Sequence, residues 1–312
     1  MAFDFNVFKA VFIQLLCMAF FMLIGYFLCR KKVISETADK MFSAVLINVF
    51  MPLTVFGSLS THLTVSNAKE KLTYFFVSVP VLLFAIVAAN ILSGIITKDN
   101  KRKNMLVFAF AFNNFGYIGY PVIEAVFGSE MLANFIIYVI PLTIALYTYG
   151  MDLFSEKSSK KWYLRLITPV TVSIVLGVVF GLSGIKLPSF AEKICSMGNG
   201  CLGTTAMLLM GISLAKCDIK KFLLKKQTYL IVLIKSILLP AILFSVLYLF
   251  NVRGEVLLCA VAAAALPIGQ NIVIFSVNNG LEQNEPLGYC MITSAFSIFI
   301  IPVFLSVATT VM

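Results

Sequence analysis

Ten apolar runs of about 20 residues, joined by short polar connections, divide this chain almost from end to end. They fall at 7–29, 41–60, 72–96, 105–127, 131–151, 164–184, 194–215, 228–249, 256–277 and 287–311. A run of that length crosses the hydrocarbon of a bilayer as a helix, because a helix satisfies its own backbone hydrogen bonds where no water is present. Composition agrees. Of the 312 residues 60% are hydrophobic, 12% are charged and 29 are Phe, which is more apolar surface than a soluble domain can hide. The expected fold class is an all-α membrane protein with ten transmembrane helices. The N-terminus has no basic region or small-residue cleavage site ahead of its first apolar run, so no signal peptide is expected. Seven Cys show no C-x-x-C pairing, and five lie well within apolar runs. They read as packing residues, and no disulfide, metal site or cofactor is expected.

A net charge of +10 would suggest nucleic acid in a soluble protein, but here the basic residues sit in the connections. No nucleic-acid partner is expected; the partner is the lipid bilayer. Seventeen Lys and Arg fall on the side reached after runs one, three, five and seven, six on the other side, and Lys235 lies within run eight. By the positive-inside rule the richer side is cytoplasmic, so both termini lie outside. The longest connection, 152–163 (DLFSEKSSKKWY), is polar and central, and divides the chain into 1–151 and 164–312. The halves are weakly alike: the stretch GYFLCRKKVISETADKMFSAVLINVFMPLTVFGSLS (25–60) has a counterpart at 177–215. In each, an apolar run ends in a short basic connector, then a helix begins with small residues near its end. Five runs per half force the second copy to enter the membrane upside down, and such inverted repeats are a mark of transporters.

Runs four and nine carry what a plain membrane helix does not need. Run four contains AFNNFGYIGYPVIEAVFG (111–128), with adjacent amides at Asn113 and Asn114, then Gly116, Gly119 and Pro121. Run nine contains ALPIGQN, with Pro267, Gly269, Gln270 and Asn271 at mid-depth. Two helices in matching positions are therefore expected to break near the midplane, at Pro121 and Pro267. A broken helix frees N–H groups at the start of its second half and C=O groups at the end of its first. Those groups cannot face lipid and belong against protein or a polar cavity. The N–H ends suit an anion, and amides add donors without the cost of a full charge at mid-membrane.

The segments FNNFGYIGYPVIEAVFG, ALPIGQNIVIFSVNNG and INVFMPLTVFGSLS (47–60) together resemble the auxin efflux carrier family, which includes plant auxin exporters and bacterial permeases for malate or malonate. The resemblance covers the whole chain in order and number of runs. It implies two inverted five-helix repeats, a scaffold from helices 1, 2, 6 and 7, and a moving transport domain from helices 3–5 and 8–10. It further implies that helices four and nine cross where they unwind, with a substrate carboxylate beside the crossing. By position Asn114 matches the crossover asparagine, Pro267 the crossover proline, Asn271 the polar cluster after it, and Pro52 the proline of helix two with Met51 beside it. The plant exporters have proline immediately before the crossover asparagine, where this chain has Asn113, and their long central loop is reduced here to about 12 residues. A bacterial member fits, in a bacterial inner membrane. Related carriers are often dimeric, and the resemblance extends a homodimer to this chain.

The substrate-binding residues expected are Asn113, Asn114, Gly116, Tyr117, Met51, Pro52, Pro267, Gly269, Gln270 and Asn271. Glu124, one turn past Pro121, and Lys235 are candidate coupling groups, against the plainer readings of a solvated carboxylate and a lysine that snorkels to the cytoplasmic surface. Asp152 reads as an interfacial ion pair with the basic 157–161 run, and His62 as an outer-loop residue. An intramembrane enzyme would need a nucleophile–base set or metal ligands, and neither H-E-x-x-H nor a phosphate-binding Gly-Lys loop occurs. The function expected is secondary transport of a small organic anion. The alternatives are an ion-coupled carrier of another anion class, an anion channel or a receptor.

Overall fold

The structure, a computed structural model, describes residues 3–35, 37–154, 162–216, 226–278 and 284–312. Among these residues the chain is helical, with one isolated bridge in place of any strand. In chain order the helices are α1 (Phe5–Arg30), α2 (Ala38–His62), α3 (Ala68–Ile96), α4 (Asn100–Ala111), α5 (Phe115–Gly150), α6 (Pro169–Ser183), α7 (Ser189–Lys216), α8 (Lys226–Leu249), α9 (Gly254–Ala265), α10 (Asn271–Asn278) and α11 (Asn284–Thr309). Seven of them, α1, α2, α3, α5, α7, α8 and α11, are long and apolar enough to cross a membrane. The shorter apolar helices α6 and α9 fall below that length. Run six forms only the 15-residue α6, run nine is split between α9 and α10, and run four is split between α4 and the start of α5, which continues through run five, so fewer long helices are found than apolar runs.

α5 is itself two helices. Its corner is Gly128, at φ 87° and ψ 175°, a conformation that a Cβ would strain. The Tyr120 and Phe135 rings lie 6.1 Å apart, whereas 15 residues of straight helix would separate them by about 22 Å. The chain therefore doubles back at Gly128.

Apolar side chains give no net drive for helices to associate in lipid, so close packing depends on small residues. α1 and α7 meet backbone to backbone. A Cβ on Gly25 would sit 2.3 Å from the Leu208 carbonyl oxygen, and one on Gly211 would sit 2.0 Å from that of Met22. α6 lies close on α2, where a Cβ on Gly181 would sit 2.8 Å from the Leu59 carbonyl oxygen and one on Gly177 2.9 Å from the Leu59 Cβ. Large apolar side chains stay exposed on α1, α3 and α6, among them Phe20, Phe27, Phe76, Ile91 and Val175, as a lipid-facing surface requires.

Among the described residues four π turns interrupt the helices, at Leu46–Phe50, Phe115–Gly119, Leu146–Gly150 and Ile234–Leu238. Three of them are followed two residues on by proline: Pro52, Pro121 and Pro240. A proline ring pushes on the carbonyl four residues back, here Asn48, Tyr117 and Ser236, and each of these lies inside a widened turn. The helix break expected at Pro121 lies elsewhere. Pro121 does not break its helix; it lies inside α5, where the π turn Phe115–Gly119 just before it makes room for its ring, and the break comes earlier, at Phe112–Asn114.

Candidate functional site

The two broken segments are joined to each other through their unwound backbone. α4 ends at Ala111, Phe112 turns extended (φ −116°, ψ 125°), and helix resumes at Phe115. α9 ends at Ala265, Leu266 is extended (φ −63°, ψ 147°) as a residue before proline prefers to be, and helix resumes at Asn271. Between these ends Asn113 and Ile268 form an antiparallel bridge. Asn114 N–H donates to the Pro267 carbonyl at 2.9 Å, and Gly269 N–H donates to the Phe112 carbonyl at 3.3 Å. A Cβ on Gly269 would lie 3.1 Å from the Asn113 carbonyl oxygen, so glycine is what lets the strands come this close. α11 satisfies the remaining backbone groups: Ile268 N–H donates to Thr293 Oγ1 at 3.3 Å, and Cys290 Sγ donates to the Ile268 carbonyl at 3.2 Å. No backbone polar group of Ile268 is thus left facing hydrocarbon.

The side chain of Asn113 ties the carbonyl ends together. Its amide nitrogen donates to the carbonyls of Ala263 and Ala264 at the end of α9. Its oxygen accepts from Lys235 Nζ, which also lies 3.4 Å from the Phe110 carbonyl at the end of α4. Lys235 is 1% exposed. It does not snorkel to the cytoplasmic surface as the sequence suggested, because the crossing offers it acceptors that lipid does not.

The opposite face of the crossing holds the N–H ends. Asn114 Oδ1 accepts from Tyr117 N–H at 3.3 Å and so caps the helix that follows. The amide nitrogens of Asn114 and Gln270 are buried without a hydrogen-bond partner. Both residues line one cavity, of about 50 Å³, together with Asn113, Gly116, Tyr117, Gly269 and Asn271. Met51 and Tyr147 are among the other side chains of its wall, and the Met51 methyl sits where a Cβ on Gly116 would be. On this measure a water needs about 10–15 Å³, so the cavity has room for a few waters. Tyr117 and Gln270 also line a second cavity, of about 450 Å³, that reaches Asp39, Lys40, Ser43 and Ser213. These two side chains border both the small and the large space.

Of the residues expected at the site, the structure brings Met51, Asn113, Asn114, Gly116, Tyr117, Gly269, Gln270 and Asn271 around the small cavity. Pro267 contributes its carbonyl to the crossing, and Pro52 stands behind Met51 without lining the cavity. Glu124 lies apart, accepting from the Asn199 amide, whose oxygen accepts from Thr54 at 3.2 Å. Pro121, Glu124 and Asn199 line a third cavity of about 340 Å³. Asp152 pairs with Arg165 at 2.7 Å, and the 157–161 run proposed as its partner lies outside the described residues. Lys71, which stands just ahead of run three, is 4% exposed and donates to Asn134 at 2.6 Å. Sequence reasoning missed Thr293, Cys290 and Tyr147. A Thr or Cys within an apolar run gives no sign that its polar atom faces an unwound backbone.

A lipid-facing bundle of helices, two of them broken and joined through a polar crossing, defines a polytopic membrane protein of the kind that carries solutes. The model of the membrane transport protein family matches residues 10–164 and 158–305, and the chain belongs to that family. The likeness to auxin efflux carriers read from its motifs holds at that level. The chain is similar to an uncharacterized transporter of Methanocaldococcus jannaschii, 25% identical over 89% of this chain and 92% of the relative. It is also similar to one of Methanothermobacter thermautotrophicus, 23% identical over 90% and 92%. The uncharacterized transporter YfdV of Escherichia coli is 22% identical over 79% of this chain and 81% of its own.

Proposed function

We propose that the chain is a secondary carrier of small organic anions, carboxylates such as malate, malonate or an auxin-like acid, working by alternating access at the crossing. What supports the substrate class is the pair of unpartnered buried amides, Asn114 and Gln270, that share a cavity with the N–H ends of two broken helices. An unmet donor in hydrocarbon costs free energy, and an anionic oxygen is the ligand that meets several such donors at once. In this reading the ten apolar runs cross the bilayer as two inverted five-helix repeats, 1–151 and 164–312, with both termini outside. Helices one, two, six and seven form the scaffold, in keeping with the glycine-packed contacts of α1 on α7 and α2 on α6. The remaining helices move the crossing across it, possession of a homodimer interface being part of the same family expectation. Substrate enters through the larger cavity beyond Tyr117 and Gln270. A proton-coupled cycle would use Glu124, whose carboxylate faces the third cavity.

The test is uptake of labelled malate, malonate and indole-3-acetate into proteoliposomes, comparing the native chain with Asn114→Ala. Saturable counterflow of one anion, reduced about tenfold or more in the variant, is expected, since a hydrogen bond to a charged group contributes about that much. Non-saturable flux would point to a channel, binding without flux to a receptor. Counterflow that survives the substitution would move the site away from the crossing.

A further inference from the structure

α4 and α9 both end at the crossing, and each brings carbonyl groups and partial negative charge to the same place. In carriers built from broken helices, such ends are where a coupling metal cation is held. Here a side chain already reaches that place. Lys235 Nζ donates to Asn113 Oδ1 and lies 3.4 Å from the Phe110 carbonyl in the last turn of α4. The Asn113 amide passes the contact on to the Ala263 and Ala264 carbonyls in the last turns of α9. One ammonium, extended by one amide, therefore serves both helix ends. Among the described residues no ion pair involves Lys235. The cavity beside it is apolar apart from Asn113 and Tyr138, whose hydroxyl has no hydrogen-bond partner.

We propose that Lys235 is a tethered cation that takes the place of a coupling metal ion, so that the crossing is assembled without sodium. Three features point the same way: complete burial, acceptors that are all neutral, and a position at two converging carbonyl ends. Pro240 supports the arrangement, because the π turn it widens, Ile234–Leu238, is the turn that carries Lys235. The charge also favours an anion on the other face. Asn113 lines both the Lys235 cavity and the small cavity of the N–H ends, so a single residue separates the fixed cation from the vacant donors. The flux consequences rest on the carrier reading; the structural role does not.

The experiment uses the full chain, purified in detergent and in proteoliposomes, as native, Lys235→Ala and Lys235→Met. Native melting temperature and counterflow should be the same in sodium and in choline buffers. Lys235→Ala should melt lower and carry anion about tenfold to a hundredfold more slowly, as the loss of charge-assisted hydrogen bonds implies. Ethylammonium should raise the melting temperature of Lys235→Ala saturably and leave the native chain unchanged. Lys235→Met, which fills the same space without charge, should show the loss and no rescue. Native counterflow that requires sodium would overturn the proposal, as would a Lys235→Met chain equal to native or a Lys235→Ala melt indifferent to ethylammonium. If no chain moves any anion while ethylammonium still rescues the melt, the carrier reading fails and the tethered cation stands.

Discussion

The two breaks at the crossing share a backbone geometry and differ in what makes them. In the second, Pro267 has no N–H to give and its ring holds Leu266 extended, so the helix stops for a covalent reason. In the first, no proline precedes the break. Phe112 and Asn114 leave the helix because Asn113 is held between Lys235 and the carbonyls of α9. One break has a proline to enforce it; the other has the Asn114 cap and depends further on the partners that hold Asn113. Drawing Lys235 away would loosen the first break and leave the second as it is, which makes the first the adjustable side of the crossing.

Asn113→Leu should break this comparison most severely. It leaves a buried ammonium without its main acceptor and two carbonyls without their donor, and should destabilise by about 3–5 kcal/mol in denaturant unfolding in micelles. A loss below about 1 kcal/mol would mean that the first break does not depend on Asn113. Gly269→Ala tests the contact between the breaks: its Cβ meets the Asn113 backbone at 3.1 Å, and overpacking of that kind costs about 1–3 kcal/mol. A neutral result would show strands that separate freely. Pro267→Ala should have the smallest effect, below about 1 kcal/mol, because the bonds from Asn114, Thr293 and Cys290 remain to hold the extended backbone. A cost equal to that of Asn113→Leu would reverse the order of the two breaks.

Much of this was legible in the sequence. Length and polarity of the apolar runs give the helices, because a bilayer leaves little other choice. The asparagines and glycines of run four and the proline of run nine mark where those helices open. Pro121 misled, since a proline reads as a breaker wherever it stands, and only the structure shows that a π turn just before it lets the helix run on. Lys235 misled for a different reason. Its sequence position, two turns from a basic connection, is compatible with either direction of its side chain, and the direction is set by acceptors 122 and 125 residues away. Long-range polar contacts of this kind leave no local pattern. The same holds for Lys71 and Asn134, 63 residues apart, which meet only in the folded bundle.

The π turns have a consequence for how this chain compares with its relatives. Each holds one residue more than the α turn it replaces, so every side chain after it is rotated by about 100° about the helix axis. Relative to a continuous α-helix, Leu46–Phe50, Phe115–Gly119 and Ile234–Leu238 each carry one residue more in mid-helix, and not in a connection. In a homologue that lacks Pro52, Pro121 or Pro240, the matching gap of one residue belongs inside the membrane, at the turn where Met51, Tyr117 or Lys235 acquires its orientation.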